Sequence, residues 1–476
     1  MEQQQSKKWL WIILAIVLIL LFAVFLWYFL GKTKEGGVIS RIFPFGTPSE
    51  DTVPSGAIPN STGIDPDEED PGGEVGGKDV LFRQLTKRSV AGVYTFERDG
   101  LEYARYISAE NGNAFEVNIQ NGEEKQLTNT TIPRIAIADW ADSGNAVVLR
   151  YLEKSELSTS NIVKTYLGRL RLPLPSSSLP AATTAAQAGE QIGSMEVEFL
   201  PDDITALSVA PDGKNLFYLM KVPSGVSGSI INLGTKTTKE VFRNTFSEWL
   251  PQLLNNDNVI LSSKPSGTIP GYSYRYVPET KALERLIRGK NGLTTLGNMS
   301  GSRILYGENT SQGTELGLYS TLGFSGDEGT VFYEKAIPFA TLPEKCAWLK
   351  DDIRVLCGSF VNTPQGSIPD LWYQGVLSFS DTFWLADTDT GEIVFLADPE
   401  TETGEEFDVV SPTISTKEDY FVFINKKDGT LWSLHLPNNV TTTATEATFP
   451  ADLSPAERED AEGSRVNSDV PVNKKP

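Results

Sequence analysis

Few residues in this chain have the types and spacing that chemistry requires. The only histidine, His435, lies inside the strand-like run "LWSLHL", so a multi-histidine zinc site is excluded. A Ser-His-Asp arrangement would need an activated serine beside it, and the local sequence offers none. "DTDTGE", Asp387 to Glu392, places carboxylates at alternating positions as calcium loops do. It lacks the length and the later glutamate of such a loop, and a glycine-containing hairpin turn is the better reading. The two cysteines, Cys346 and Cys357, flank Asp351-Asp352. If those aspartates form a two-residue turn, Cys346 faces Cys357 across a hairpin at about 4.5–5.5 Å between Cα atoms, within disulfide range. A disulfide is the expectation in an oxidising exterior, with two buried free thiols as the alternative. No catalytic, cofactor or metal residue is nominated.

Aromatic residues mark two further candidates. "PDLWYQGVLSFSDTFW", Pro369 to Trp384, contributes Trp372, Tyr373, Gln374, Phe379, Asp381 and Trp384 to an insertion that its repeat does not need. Large rigid rings bind at low entropic cost, so this is the candidate interaction loop, with a loop folded over the ring as a plug being the plainer alternative. Phe43, Pro44 and Phe45 form a second motif, read as interfacial anchoring or a short docking segment.

The elements that must position these residues emerge from the pattern of the chain. Trp9 to Leu30 is uncharged throughout and would span about 33 Å as a helix, against a hydrocarbon core of roughly 30 Å. Trp9, Trp11, Trp27 and Tyr28 sit at its ends and lysines bracket it, so a transmembrane helix is expected rather than a shorter, cleavable signal. Positive charges on the two sides do not fix its orientation. A single leading anchor usually exports the domain behind it, so the large domain is expected outside. Residues 31–78 read as a flexible Pro/Gly/acidic linker, and residues 448–476 as a disordered tail. The formal charge of −21 repels phosphate backbones and argues against nucleic-acid binding.

Between them, residues 79–447 are short β-type runs separated by turn signals. Ser89 to Thr128 holds four runs joined at Asp99-Gly100, Asn111-Gly112 and Asn121-Gly122, one four-stranded antiparallel unit. Its first hairpin recurs near Gly144, Gly213, Asp257, Gly301, Asp351 and Glu418, at intervals of 44, 69, 44, 44, 50 and 67 residues. Four-stranded propeller blades repeat about every 40–45 residues, and the two long intervals carry visible insertions. The fold class expected is all-β, a seven-bladed β-propeller with six or eight blades as alternatives, carried on an N-terminal transmembrane helix. The last unit has three strands. "RQLT" at Arg83 echoes "KQLT" at Lys125, so residues 79–86 are expected to supply the missing outer strand and close the ring.

"APDGKNLFYL", Ala210 to Leu219, resembles the TolB-like or WD-like bacterial propeller repeat. "RIFPFG", "CAWLKDDIRVLC", "PDLWYQGVLSFSD" and "FINKKDGTLW" look like single-span, N-terminally anchored propellers of bacterial envelopes. The resemblance implies surface exposure and protein–protein interaction and supplies no catalytic residue. "SGDEGTVF", Ser325 to Phe332, fits the Asp-box pattern of sialidase-type propellers and is read as a folding element. The functional expectation is therefore a tail (1–8), a membrane anchor (9–30), a linker and a propeller outside the cytoplasm, serving as a scaffold for an envelope protein. It is expected to need no cofactor and not to be an enzyme. The alternative is a glycan-active hydrolase or lyase with paired carboxylates in the channel.

Overall fold

The computed structural model describes residues 81–154, 161–173, 192–202, 204–254, 258–309, 316–322, 333–360 and 366–437. Outside them lie the expected membrane span, the Phe43-Pro44-Phe45 motif, the Asp-box and the C-terminal tail. Among the described residues, no helix is long and apolar enough to cross a membrane.

Seven four-stranded antiparallel sheets make up a propeller. Blade 1 shows why the chain folds this way. Its strands Val90–Arg98 and Leu101–Ser108 turn at Asp99 and Gly100, whose φ angles of 54° and 81° suit a tight hairpin. The strands Ala114–Asn118 and Glu124–Gln126 complete it. The second strand of each blade lies sandwiched between neighbouring blades and is buried on both faces. Ala146, Val147, Val148 and Leu149 of blade 2 are all fully buried. Near-continuous apolar runs such as "NAVVLRY" and "YFVFIN" are the sequence signature of that position.

The closing strand, Phe82–Thr86, pairs antiparallel with Leu431–His435, placing Phe82 opposite Leu434 and Arg83 opposite Ser433. Blade 7 is thus Val409–Ile414, Tyr420–Asn425, Leu431–His435 and this strand from the other end of the domain. Its side chains point to both neighbours. Phe82 packs with Phe383, Phe407 and Phe421 towards blade 6, and Leu85 packs with Tyr106 and Phe115 of blade 1. The "RQLT" and "KQLT" phrases accordingly belong to outer strands of adjacent blades, although the blade 1 strand ends at Gln126.

Blade 6 is formed by Cys346–Trp348, Arg354–Phe360, Asp381–Asp387 and Ile393–Ala397. Its second and third strands are joined by the aromatic insertion. Such a connection emerges on the face that also carries the blade-to-blade linkers, here called the upper face.

Candidate functional site

The insertion is fastened to the upper face by polar groups from several blades. A single helical turn, Asp370–Tyr373, lies at its centre. Asp370 Oδ2 accepts from Gly267 N of blade 4 at 2.6 Å and from Ser367 Oγ at 2.8 Å. Asn309 of blade 5 donates to the Ile368 carbonyl, and the Tyr373 hydroxyl donates to Glu344 in the linker before blade 6. Lys426 of blade 7 donates to the Trp372 carbonyl at 2.6 Å and to the Leu377 carbonyl at 3.3 Å. Beneath these contacts Trp372 and Phe379 are fully enclosed, and Phe379 stacks on Phe360 with ring centroids 4.2 Å apart.

Under the two rings is an ionic centre. Lys345, Asp381 and Asp408 have side chains with no exposed surface, and Lys345 Nζ lies 2.7 Å from Asp381 Oδ2 and 2.5 Å from Asp408 Oδ1. Asp408 also accepts from Trp372 Nε1, at 3.0 Å to each oxygen, and from Phe379 N at 3.1 Å. Asp381 Oδ2 accepts from Val409 N at 2.7 Å, whereas its Oδ1 is buried without a hydrogen-bond partner. Burial pushes the Asp381 carboxyl up to about 6 against the pull of Lys345. For Lys345, burial acts downward but the two carboxylates outweigh it, holding the ammonium above its ordinary value. Lys426, 4.6 Å from the Trp372 ring centroid, is lowered to about 8 by burial despite the nearby Asp408. A buried ion pair offsets its desolvation only with further hydrogen bonds, and Asp408 has them while Asp381 Oδ1 does not.

This geometry corrects the expectation of an aromatic binding loop. Trp372, Phe379 and Asp381 face inward and offer no surface to a partner, because their ring and carboxylate atoms complete the core beneath the upper face. Tyr373 is partly covered by its bond to Glu344. Trp384 sits in the third strand of blade 6, edge-on to Phe395 at 5.1 Å, away from the loop. What the insertion does expose is its tip: Gln374, Gly375, Val376 and Ser378 are open to solvent, with Val376 72% exposed.

The remaining sequence candidates fall elsewhere. Cys346 and Cys357 are register partners in blade 6 with their sulfurs 2.06 Å apart, a disulfide, and their Cα atoms 4.1 Å apart. His435 ends the third strand of blade 7 against Tyr420. In "DTDTGE", Asp387 Oδ1 accepts from Asp389 N and Thr390 N, both at 2.8 Å, and Asp389 pairs with Arg303. Those carboxylates are committed to a turn and an ion pair.

The channel offers a second concave site. A cavity of about 480 Å³ is walled by the innermost strands of blades 7, 1, 2 and 3, with Tyr94, Asp139, Trp140, Asp212 and Ser411 among its lining. Asp139 faces it with 36% of its side chain exposed, and its Oδ2 meets Arg150 Nη2 at 3.4 Å. Asp139 lies deep in the channel wall, and partial desolvation there pushes its carboxyl up against the pull of Arg150. Arg150 Nε and Thr165 Oγ1, cross-strand neighbours behind it, are buried without partners.

Sequence reasoning missed Lys345, Asp408, Lys426 and Arg150. Lys345 reads as a surface lysine, although it directly precedes Cys346, which opens the first strand of blade 6. The others lack any local mark.

No protein-family model matches the chain, and no curated protein matches it in sequence. Similarity to solved structures is that of fold. An oligogalacturonate lyase in complex with manganese is 11% identical with a TM-score of 0.47, covering 75% of this chain and 94% of that one. An oligogalacturonate lyase from Vibrio parahaemolyticus is 10% identical with a TM-score of 0.45, covering 76% and 96%. TolB from Acinetobacter baumannii is 11% identical with a TM-score of 0.35, covering 72% and 78%. The expectation that the chain is not an enzyme is corrected by these structures. Two of the similar propellers are lyases, and a fold by itself does not decide whether a chain is catalytic.

Proposed function

We propose that the chain is a membrane-tethered propeller that recruits an envelope protein through the tip of the upper-face insertion. The observation that carries this reading is a small exposed tip, with Val376 72% exposed, held on a base bonded to blades 4, 5 and 7. A loop fixed in advance loses little entropy on binding, so even a small contact is effective. The span at residues 9–30 would hold the propeller at the membrane, outside the cytoplasm, and the Cys346–Cys357 pair suits an oxidising compartment. Deleting the insertion would be a poor test, because it removes core rings. Val376→Asp changes only the tip. Cross-linking in native membranes should lose one neighbour with Val376→Asp and keep it with Leu101→Asp on the opposite face. An unchanged set of neighbours would refute the placement.

A second reading is favoured by the channel cavity, where a carboxyl raised by burial faces a space large enough for a small ligand. On that reading the channel acts on carbohydrate. Oligogalacturonate incubated with the protein should then yield an unsaturated, ultraviolet-absorbing product that Asp139→Asn abolishes.

A further inference from the structure

The ionic centre holds a combination that reaches beyond packing. An amine, a carboxyl with an unpartnered oxygen and a second, fully hydrogen-bonded carboxylate meet in a site closed to water. Lys345 Nζ lies 5.3 Å from the Trp372 ring centroid and 5.0 Å from that of Phe379, so two apolar rings wall the triad. All three charged side chains have zero exposure.

We propose that Lys345 Nζ and Asp381 Cγ join in an intramolecular amide cross-link, with Asp408 carrying the protons. The inference is independent of the docking and channel readings. Each group is placed for its part. Asp381 Oδ2 accepts from Val409 N, so it is the oxygen that remains as the amide carbonyl, and that N–H stabilises the negative charge developing on it. Asp381 Oδ1 has no partner to hold it and is the oxygen that leaves. Burial favours the protonated acid at Asp381, the form whose hydroxyl can depart as water. Asp408 Oδ1, 2.5 Å from Nζ, is in reach of the ammonium protons.

The steps balance. Asp408 takes one proton from the Lys345 ammonium, and the freed nitrogen lone pair forms the N–Cγ bond. Asp408 then passes that proton to the Oδ1 hydroxyl and takes a second one from nitrogen. The Cγ–Oδ1 bond breaks, and water departs with the two protons it then carries. The amide keeps one N–H, Asp408 ends protonated, and no oxidant or other reactant is consumed. Fixed contact of the two reactants replaces the entropy that an intermolecular condensation would have to overcome. The dry, ring-walled setting opposes the return of water. The bond would tie the approach to the first strand of blade 6 to the start of its third, at the base of the insertion and next to the Cys346–Cys357 disulfide.

The test is the intact mass of the purified full-length chain. The parent should be lighter than its sequence by one water, beyond the two hydrogens lost to the disulfide. Proteolysis and tandem mass spectrometry should show a branched peptide joining Lys345 to Asp381. Lys345→Arg and Asp408→Asn should each recover the full mass, with circular dichroism reporting whether they fold. A succinimide at an Asp-Gly pair, such as Asp99-Gly100, also loses one water, but it would persist in Lys345→Arg and give no branch. A parent at full mass, or water loss that survives Lys345→Arg, overturns the proposal. A cross-link that forms normally in Asp408→Asn overturns the role given to Asp408.

Discussion

Replacing Phe82 by alanine tests the closure of the ring. Phe82 is 4% exposed, lies opposite Leu434, and places its ring 5.4 Å from Phe383 and 5.6 Å from Phe407. Removing a buried phenylalanine costs about 3–5 kcal/mol, the lost transfer energy plus that of the cavity left behind. Domains are stable by roughly 5–15 kcal/mol, so the substitution should remove a large share of the total. With a urea dependence of about 3 kcal/mol per molar, the unfolding midpoint should fall by roughly 1–1.7 M. Equilibrium urea unfolding followed by tryptophan fluorescence measures this, because Trp432 lies in the paired strand. Lys87→Ala, at an exposed residue just beyond the closing strand, is the control and should move the midpoint little. A chain beginning at Val90 loses both Phe82 and Leu85 and should not unfold cooperatively. If Phe82→Ala and Lys87→Ala unfold at the same midpoint, the closing strand contributes nothing and the account of blade 7 is wrong.

Much of this architecture was legible because it is written locally. Asp99-Gly100 encodes a turn in two residues, and an apolar run such as Ala146 to Leu149 encodes a strand buried on both faces. Repetition of that pair of signals at intervals of 44 to 50 residues, lengthened to 69 and 67 where insertions fall, gave the blade count. Closure was legible for a different reason: three strands at one end and one spare strand at the other leave a single economical pairing. The site was less legible because its meaning depends on distant partners. The aromatic excess of Pro369–Trp384 was visible, but the direction of its rings was not. That direction is fixed by Gly267, Asn309 and Lys426, which the ring of blades brings to the insertion. Lys345 reads as a surface lysine in sequence, since lysines are seldom buried unless paired. Its partner Asp408 lies 63 residues away, in the next blade-to-blade linker, and no local pattern connects them.

Two further expectations concern blade 6 and its neighbour. Denatured without reductant, the protein should take up no thiol-alkylating reagent, and after reduction it should take up two equivalents, at Cys346 and Cys357. Alkylation before reduction would show that the disulfide does not form. The last expectation comes from Lys426, whose ammonium burial lowers to about 8 while in the unfolded chain it titrates at its ordinary, higher value. Between those two values the unfolded state binds more protons than the folded one, so this residue makes stability rise with pH across that window. Below pH 8 both states are protonated, and the cost of burying the charge is present in full. Lys426→Met removes the titration but keeps the length of the side chain over Trp372. The rise in urea midpoint between about pH 8 and pH 10 should therefore be smaller in Lys426→Met than in the parent. Identical pH profiles would mean that the Lys426 ammonium is not held in the desolvated position where it reaches the Trp372 and Leu377 carbonyls.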